Sequence, residues 1–337
     1  MKFVYTPILL LISVVCFAQK PLSVTYYKYG FHTVRSIDSA DFIRAVLLPD
    51  STSPFYRVRD YYASNKKIKF AGFVENRTNL SSYEGKCEAF YPDGHPKLKA
   101  FYRQGRMLGF VYEYYPNGKL HSLKKYPASQ PGELMPDPLV ITLLDTTGVP
   151  IVNNGNGFYK GYRTNIDFDD DRLYEEGPIA SGLRNGKWQG STNPVILPYN
   201  MPTSISPKIK FTEQYENGHL VSGTATDSTG TEYRYTQRMR SFTYKGGMQK
   251  FSEYLQKEIV YPVSARQQNI QGRVFVSFQI NPDGSISDIK VARGVNFDID
   301  NEALRVIEQS KHKWSPEEEF GIPLLSRVTI PISFTLK

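Results

Sequence analysis

The sequence predicts an α+β C-terminal domain, a small antiparallel sheet with helices on one face, after a mostly-β repeat region. Three observations predict it. Near the C-terminus, strict apolar/polar alternation is interrupted once by a helical period. Upstream, an aromatic-plus-turn segment recurs every 24 residues. Aromatic residues reach 14%, with 24 Tyr and 20 Phe, an excess that favours strands. With 337 residues and 40% hydrophobic content the chain can bury real cores in two or more domains. Its net charge of +8 favours anionic partners such as phosphorylated glycolipid or cell-wall polymer. The charge is scattered, which argues against nucleic acid as a ligand.

Residues 1–18 read as a secretory signal peptide, with Lys2 in the n-region, Ile8–Val15 as the apolar h-region and Cys16-Phe17-Ala18 as a small-x-small site. A periplasmic protein starting at Gln19 is the preferred consequence. An acylated Cys16 ranks second because Val15 is large, and an uncleaved inner-membrane anchor ranks third because the apolar run is short of the roughly 20 residues a span needs. Cleavage would leave Cys87 alone, a buried structural thiol without a disulfide partner.

Residues 19–60 form a strand-rich lead-in. In 61–126, Gly85-Lys-Cys-Glu-Ala-Phe-Tyr91-Pro-Asp-Gly94 recurs as Gly109-Phe-Val-Tyr-Glu-Tyr-Tyr115-Pro-Asn-Gly118. One hairpin per repeat follows, because Asp-Gly and Asn-Gly permit tight turns. Residues 127–140, with Pro127, Pro131, Pro136 and Pro138, read as a linker. Residues 141–240 carry degenerate copies around Gly186-Lys-Trp188, Asn217-Gly218 and Thr229-Gly230-Thr-Glu-Tyr233. These hairpins resemble MORN-type repeats and their antitoxin-like variants. Such hairpins stack into an elongated sheet, each adding about 10 Å, a rod able to hold a terminal domain at a distance. The aromatic pairs before the turns, Phe90-Tyr91 and Tyr114-Tyr115, read as a cross-strand ladder rather than a glycan surface.

In 246–337, Gly246-Gly247 opens a helical pattern (Phe251, Tyr254, Leu255, Ile259) that Tyr261-Pro262 ends. Val274, Val276, Phe278 and Ile280 then face one way, with Arg273, Phe275, Ser277 and Gln279 opposite. Asn281-Pro282-Asp283-Gly284 closes a hairpin into Ser285–Arg293. Asp298 or Asp300 caps a helix with Ile299, Ala303, Val306 and Ile307 on one stripe. The last strand sets Val328, Ile330, Ile332, Phe334 and Leu336 against Arg327, Thr329, Ser333 and Thr335. Pro331 offers no N–H to a neighbour, so this strand belongs at a sheet edge.

No catalytic residues, metal ligands or cofactor site emerge. The five histidines are dispersed, with His95, His121 and His219 beside repeat turns as exposed side chains. The run Asp167-x-Asp169-Asp170-Asp171 lacks the glycine and terminal glutamate of a calcium loop. Gly155-x-Gly157 lacks the following helix of a nucleotide loop. The chain reads as a non-enzyme.

The constellation Tyr261-Pro262-x-x-Ala265, Gly272, Pro282-Asp283-Gly284, Trp314 and a closing alternating strand resembles the C-terminal domain of the TonB family. The resemblance implies capture of an extended segment of a TonB-dependent outer-membrane transporter by β-augmentation on the last strand. Arg327, Thr329, Ser333 and Thr335 would then face the partner. It also implies energy transduction from inner-membrane motor proteins if the N-terminus stays uncleaved. A cleaved chain could bind a transporter but not pull it. The competing reading is an envelope scaffold or cell-wall-binding repeat protein without a transport role.

Overall fold

The computed structural model describes residues 21–28, 32–51, 53–80, 82–129, 136–162, 173–193 and 208–336. The expected leader at 1–18, Pro131 of the expected linker and the Asp167–Asp171 run lie outside these residues. None of the described helices is long and apolar enough to cross a membrane. The chain divides into two compact units, one containing the described residues up to Pro138 with Leu144–Val149, the other Leu139–Leu143 and most residues from Pro150 onward.

The first unit is an antiparallel meander. Phe42–Leu47 pairs with Ser23–Lys28 on one side and Tyr56–Tyr62 on the other. Ile68–Val74, Tyr83–Phe90, Pro96–Arg103, Arg106–Tyr114 and Leu120–Tyr126 follow, each paired with its predecessor. Residues 42–60 of the lead-in are thus part of the same meander as the hairpins. The turns after Tyr91 and Tyr115 share one geometry: each tyrosine N–H donates to the carbonyl four residues on, and Gly94 and Gly118 sit at φ +100° and +78°. Both positions need a residue that tolerates positive φ.

The tyrosines before these turns act through their hydroxyls as well as their rings. Each hydroxyl reaches the next hairpin's main chain: Tyr62 donates to the Phe90 carbonyl at 2.7 Å, Tyr91 to Tyr114 at 2.8 Å and Tyr115 to Leu144 at 2.8 Å. Other turn side chains extend the pattern, with Lys67 donating to the Asp93 carbonyl and Lys119 to the Thr147 carbonyl. His121 is not an exposed turn residue as expected. Its ring packs tilted against Tyr115 with centroids 4.4 Å apart, and burial draws its pKa down.

The buried face of the first unit holds Val58, Phe70, Cys87, Ala89, Leu98, Ala100 and Val111. One repeat later, the positions of Ala89, Leu98 and Ala100 are taken by Glu113, Ser122 and Lys124, all buried. Lys124 Nζ lies 2.8 Å from the Glu113 carboxylate, to which Ser122 also donates. Burial pushes the Glu113 carboxyl up, but the charge and hydrogen bond of Lys124, with the Ser122 hydroxyl, take it below the ordinary value.

The second unit opens with another antiparallel run, from Asn156–Tyr162 through Leu173–Ala180, Gly186–Thr192, Ile209–Glu216 and His219–Asp227 to Glu232–Tyr235. Trp188 is buried between Tyr159 and Tyr215, and its indole N–H donates to the Pro178 carbonyl.

The C-terminal part contains three helices: α1 (Met248–Glu258), α2 (Val263–Gln267) and α3 (Phe297–Glu308). Its three-stranded sheet runs in the order Ile286–Arg293, Gly272–Ile280, Ser326–Phe334. Phe251 of α1 and Ile299, Ala303 and Ile307 of α3 share one core with Val274, Val276, Phe278, Ile280, Val328, Ile330, Ile332 and Phe334. The inward residues of the strands alternate, so both helices lie on a single face of the sheet.

Three details differ from the sequence expectation. Asn296, not Asp298 or Asp300, caps α3, its side chain accepting from the Asp298 N–H at 2.8 Å. Both aspartates then fall in the first turn, where the helix dipole favours them. The one-turn helix α2 begins directly after Pro262. Between Trp314 and the last strand, the short strands Glu317–Glu319 and Ile322–Leu324 form a hairpin that pairs with Met239–Arg240.

Replacing Lys124 with Met leaves Glu113 buried without its cation, and the first unit is expected to lose about 3–5 kcal/mol. The wild-type pair has a depressed carboxyl pKa, so its contribution is fully present above the ordinary glutamate value of 4.5 and lost as pH falls through the folded value. In the variant, burial, the largest influence, outweighs the remaining Ser122 hydrogen bond and raises that pKa, and the sign reverses: stability is expected to fall as pH rises above 4.5. Urea unfolding of both proteins on either side of that value measures the reversal.

Candidate functional site

The C-terminal strand pairs with the central strand in unbroken register from Gly272↔Phe334 to Ile280↔Ser326, and it has no second neighbour among the described strands. Its exposure alternates without a fault. Val328, Ile330, Ile332 and Phe334 are buried, while Arg327, Thr329, Pro331 and Ser333 are exposed.

Pro331 stands opposite Phe275. In an antiparallel pair, directly opposed residues alternate between exchanging both hydrogen bonds and exchanging none. A proline fits only the second kind of position, because it has no N–H to give. The main-chain groups of Pro331 therefore point away from the central strand, and so do those two residues on either side, at Thr329 and Ser333, and again at Arg327. The even-numbered residues bond inward. The open edge thus presents N–H and C=O groups from Arg327, Thr329 and Ser333, and a carbonyl alone from Pro331. Thr335 lies one residue past the paired strand.

Beside the far half of this edge runs a groove of about 1120 Å³. Pro331, Ser333, Thr335 and Leu336 form one wall, and Leu255, Ile259, Tyr261 and Arg266 the other. Sequence reasoning missed Leu255, Ile259 and Arg266 as site residues. For Leu255 and Ile259 the available signal was the helical pattern that also includes Phe251 and Tyr254; Arg266, in α2, carried none.

The remaining sequence-singled residues build the support. The Tyr261 hydroxyl donates to the Ile270 carbonyl, and its ring packs edge-on against Phe334 at 5.9 Å. Ala265 is fully buried. Gly272 lies so close to Val295 that a Cβ there would come within 2.9 Å of it. In the turn, Asp283 accepts from both the N–H and hydroxyl of Ser285, and Gly284 adopts φ +80°. Trp314 lies in the core with Tyr244, Phe251 and Phe278. Arg327 is set apart from Thr329 and Ser333 by its side chain, which spans the sheet to Asp288. The hydrogen bonds from Arg327 and Lys290 hold that carboxyl below its ordinary value.

Residues 257–336 match the family described as Gram-negative bacterial TonB protein C-terminal. Protein TonB from one strain of Helicobacter pylori is 41% identical over 78 residues, 23% of this chain and 26% of the relative. The same protein from a second strain is 40% identical over 78 residues. The NMR solution structure of the Helicobacter pylori TonB C-terminal domain is 34% identical, covering 27% of this chain and 80% of that one, with a TM-score of 0.23. The chain spans about a quarter of the length of the curated relatives it matches. Residues 257–336 thus carry a TonB C-terminal domain.

Proposed function

We propose that the chain binds an extended periplasmic segment of an outer-membrane transporter as an added strand along Arg327–Ser333. The open edge of the last strand, with its outward main-chain groups spaced two residues apart, is the observation that carries this reading. The similarity of residues 257–336 to TonB supports the class of partner. A peptide pairing there would place alternate side chains over the groove beside Ser333, giving specificity to a contact whose affinity comes from the main chain. Thr335 contributes from the groove rather than from the paired edge.

The rest of the chain fits the same role. A cleaved leader at 1–18 would deliver it to the periplasm, and the hairpins of MORN type would act as a spacer. If residues 1–18 instead stay in the inner membrane, contact with motor proteins and force transduction become available. N-terminal sequencing of the protein from its own envelope separates these outcomes: a start at Gln19 in the soluble fraction means an adaptor, and an intact leader in the inner membrane means a transducer.

Peptides from transporter N-terminal segments test the binding itself by fluorescence anisotropy. Thr329→Pro and Ser333→Pro each remove one outward N–H without touching the inward bonds, and each is expected to weaken binding at least about tenfold while the thermal transition stays near wild type. Loss of folding instead, or a complex in which Val328, Ile330 and Ile332 bond to the peptide, would mean the phase is wrong. A wild-type protein that binds no such peptide saturably would favour the envelope-scaffold reading.

Pro331→Val has the opposite effect. It adds an outward donor worth about 0.5–1.5 kcal/mol, so peptide affinity should rise by up to roughly tenfold. The unbroken edge should also self-associate, visible as concentration-dependent sedimentation.

A further inference from the structure

The groove beside the last strand carries a single charge. Among the described residues Arg266 is the only charged side chain in its lining, and every other member is apolar, aromatic or neutral polar. Ser252, Leu255, Gln256 and Ile259 recur at the spacing of one helical face, so α1 offers the groove two aliphatic side chains and no acid. The Arg266 guanidinium lies 5.9 Å over the Tyr261 ring, which is itself fixed by its hydroxyl bond to Ile270 and its edge-on contact with Phe334. The cation is thereby held at the Phe334 end of the open edge, away from Arg327.

The acids of the neighbouring elements face elsewhere. Asp298 accepts from Ser264, two residues before Arg266 in α2. Two residues turn a helix by about 200°, so that carboxylate lies on the side of α2 away from the groove. Asp300, further along α3, accepts from the Val295 N–H, and Glu302 is held by Arg305 and the Val260 N–H. On α1, Glu253 pairs with Lys250 at 2.8 Å, and Glu258 sits off the groove stripe, 4.0 Å from Lys257, with its carbonyl accepting from Arg305. At the other end of the edge, Arg327 is already paired with Asp288.

We infer that Arg266 is a specificity-determining residue of this groove and selects a captured segment that carries an acidic side chain on its helix-facing side. The inference rests on the edge-strand reading and adds to it the chemistry of the segment. In an added strand every second side chain points toward the helices, about 7 Å from the next. One of these, level with Ser333 to Thr335, meets the guanidinium, and its same-side neighbour toward Pro331 lies over Leu255 and Ile259. The segment that fits has a carboxylate at the first position and an aliphatic side chain at the second. A guanidinium laid over an aromatic face keeps its N–H edge for a planar carboxylate, which accepts two parallel hydrogen bonds from it. A lysine at the same position would meet a like charge.

The test uses the full chain and the transporter N-terminal peptides introduced above, acetylated and amidated to remove terminal charge, with each residue in turn replaced by Glu, Gln or Lys. Anisotropy is expected to find one position at which Glu binds about fivefold more tightly than Gln, the upper range for a partly exposed ion pair, and Lys more weakly than Gln. Added salt should shrink the Glu-to-Gln ratio toward one. Arg266→Gln should abolish the preference at that position, and Arg266→Glu should invert it in favour of Lys, a reversal that lost packing alone does not produce. Saturable binding with no position that prefers Glu, or a Glu preference that persists in Arg266→Gln, overturns this inference and leaves the edge-strand reading standing. Absence of saturable binding by every peptide overturns both. Should Arg266→Glu fail to fold, Arg266→Gln and the salt dependence of the wild-type ratio decide.

Discussion

The open edge exists because Trp314 holds everything else on the other side. Its ring meets Tyr244, Phe251 and Phe278 at centroid distances of 5.3, 5.1 and 5.2 Å, and its indole N–H donates to the Ser310 hydroxyl at 3.0 Å. That one side chain ties α1, the end of α3, the central strand and the Thr243–Tyr244 strand together. Its carbonyl also lies where a Cβ on Gly284 would come within 2.5 Å, so the hairpin turn closes against it and admits only glycine. Truncating a tryptophan in such a position costs about 3–5 kcal/mol, more than any single edge hydrogen bond returns. With the helices held on one face by this hub, nothing among the described residues pairs with the outer side of Ser326–Phe334.

The C-terminal sheet was legible because its faces are so unequal. Period-2 alternation leaves one way to bury Val274, Val276, Phe278 and Ile280, and a slip of one residue would expose all four. Pro331 was equally legible, since a missing N–H is a property of the residue and not of its surroundings. The cap of α3 was not. Asn296, Asp298 and Asp300 can each accept from the N–H two residues on, and the choice falls to Asn296 only because it leaves both acids in the first turn. The groove was hidden for a related reason. Leu255 and Ile259 look like core positions by period, and they do pack against the core, but each is half-buried and also lines the groove with Ser333.

The repeats show what a periodic sequence conceals. Spacing predicted the hairpins and the positive-φ glycines, but it gave no sign that Tyr91 and Tyr115 also act through their hydroxyls on the next hairpin's main chain. A ring contact and a hydroxyl contact leave the same letter in the sequence. The buried Glu113–Lys124 pair was concealed differently: its positions are apolar in the preceding copy, so averaging the copies erases it. Glu175, Arg184, Glu213 and Arg238 form a second such group, with Arg238 2.9 Å from Glu175 and 2.6 Å from Glu213. Burial pulls the Arg238 pKa down, but the two carboxylates raise it well above its ordinary value, so it stays a cation throughout the range in which the protein folds.

Arg238 also determines how the C-terminal domain meets the strands before it. Its guanidinium lies over Phe211 at 5.1 Å and over Phe320 at 5.4 Å, and its carbonyl accepts from the Phe320 N–H at 2.6 Å. Phe320, Ile322 and Leu324 complete a core with Ile209, Phe211, Ala225 and Tyr235. The chain between Trp314 and the last strand is therefore packed into the preceding sheet and is not a free loop. Ser326 begins the edge strand two residues after Leu324. The edge strand is thus anchored at one end in this core and at the other by Phe334 against Tyr261, so its outer groups are held in place by packing on both sides of the open stretch.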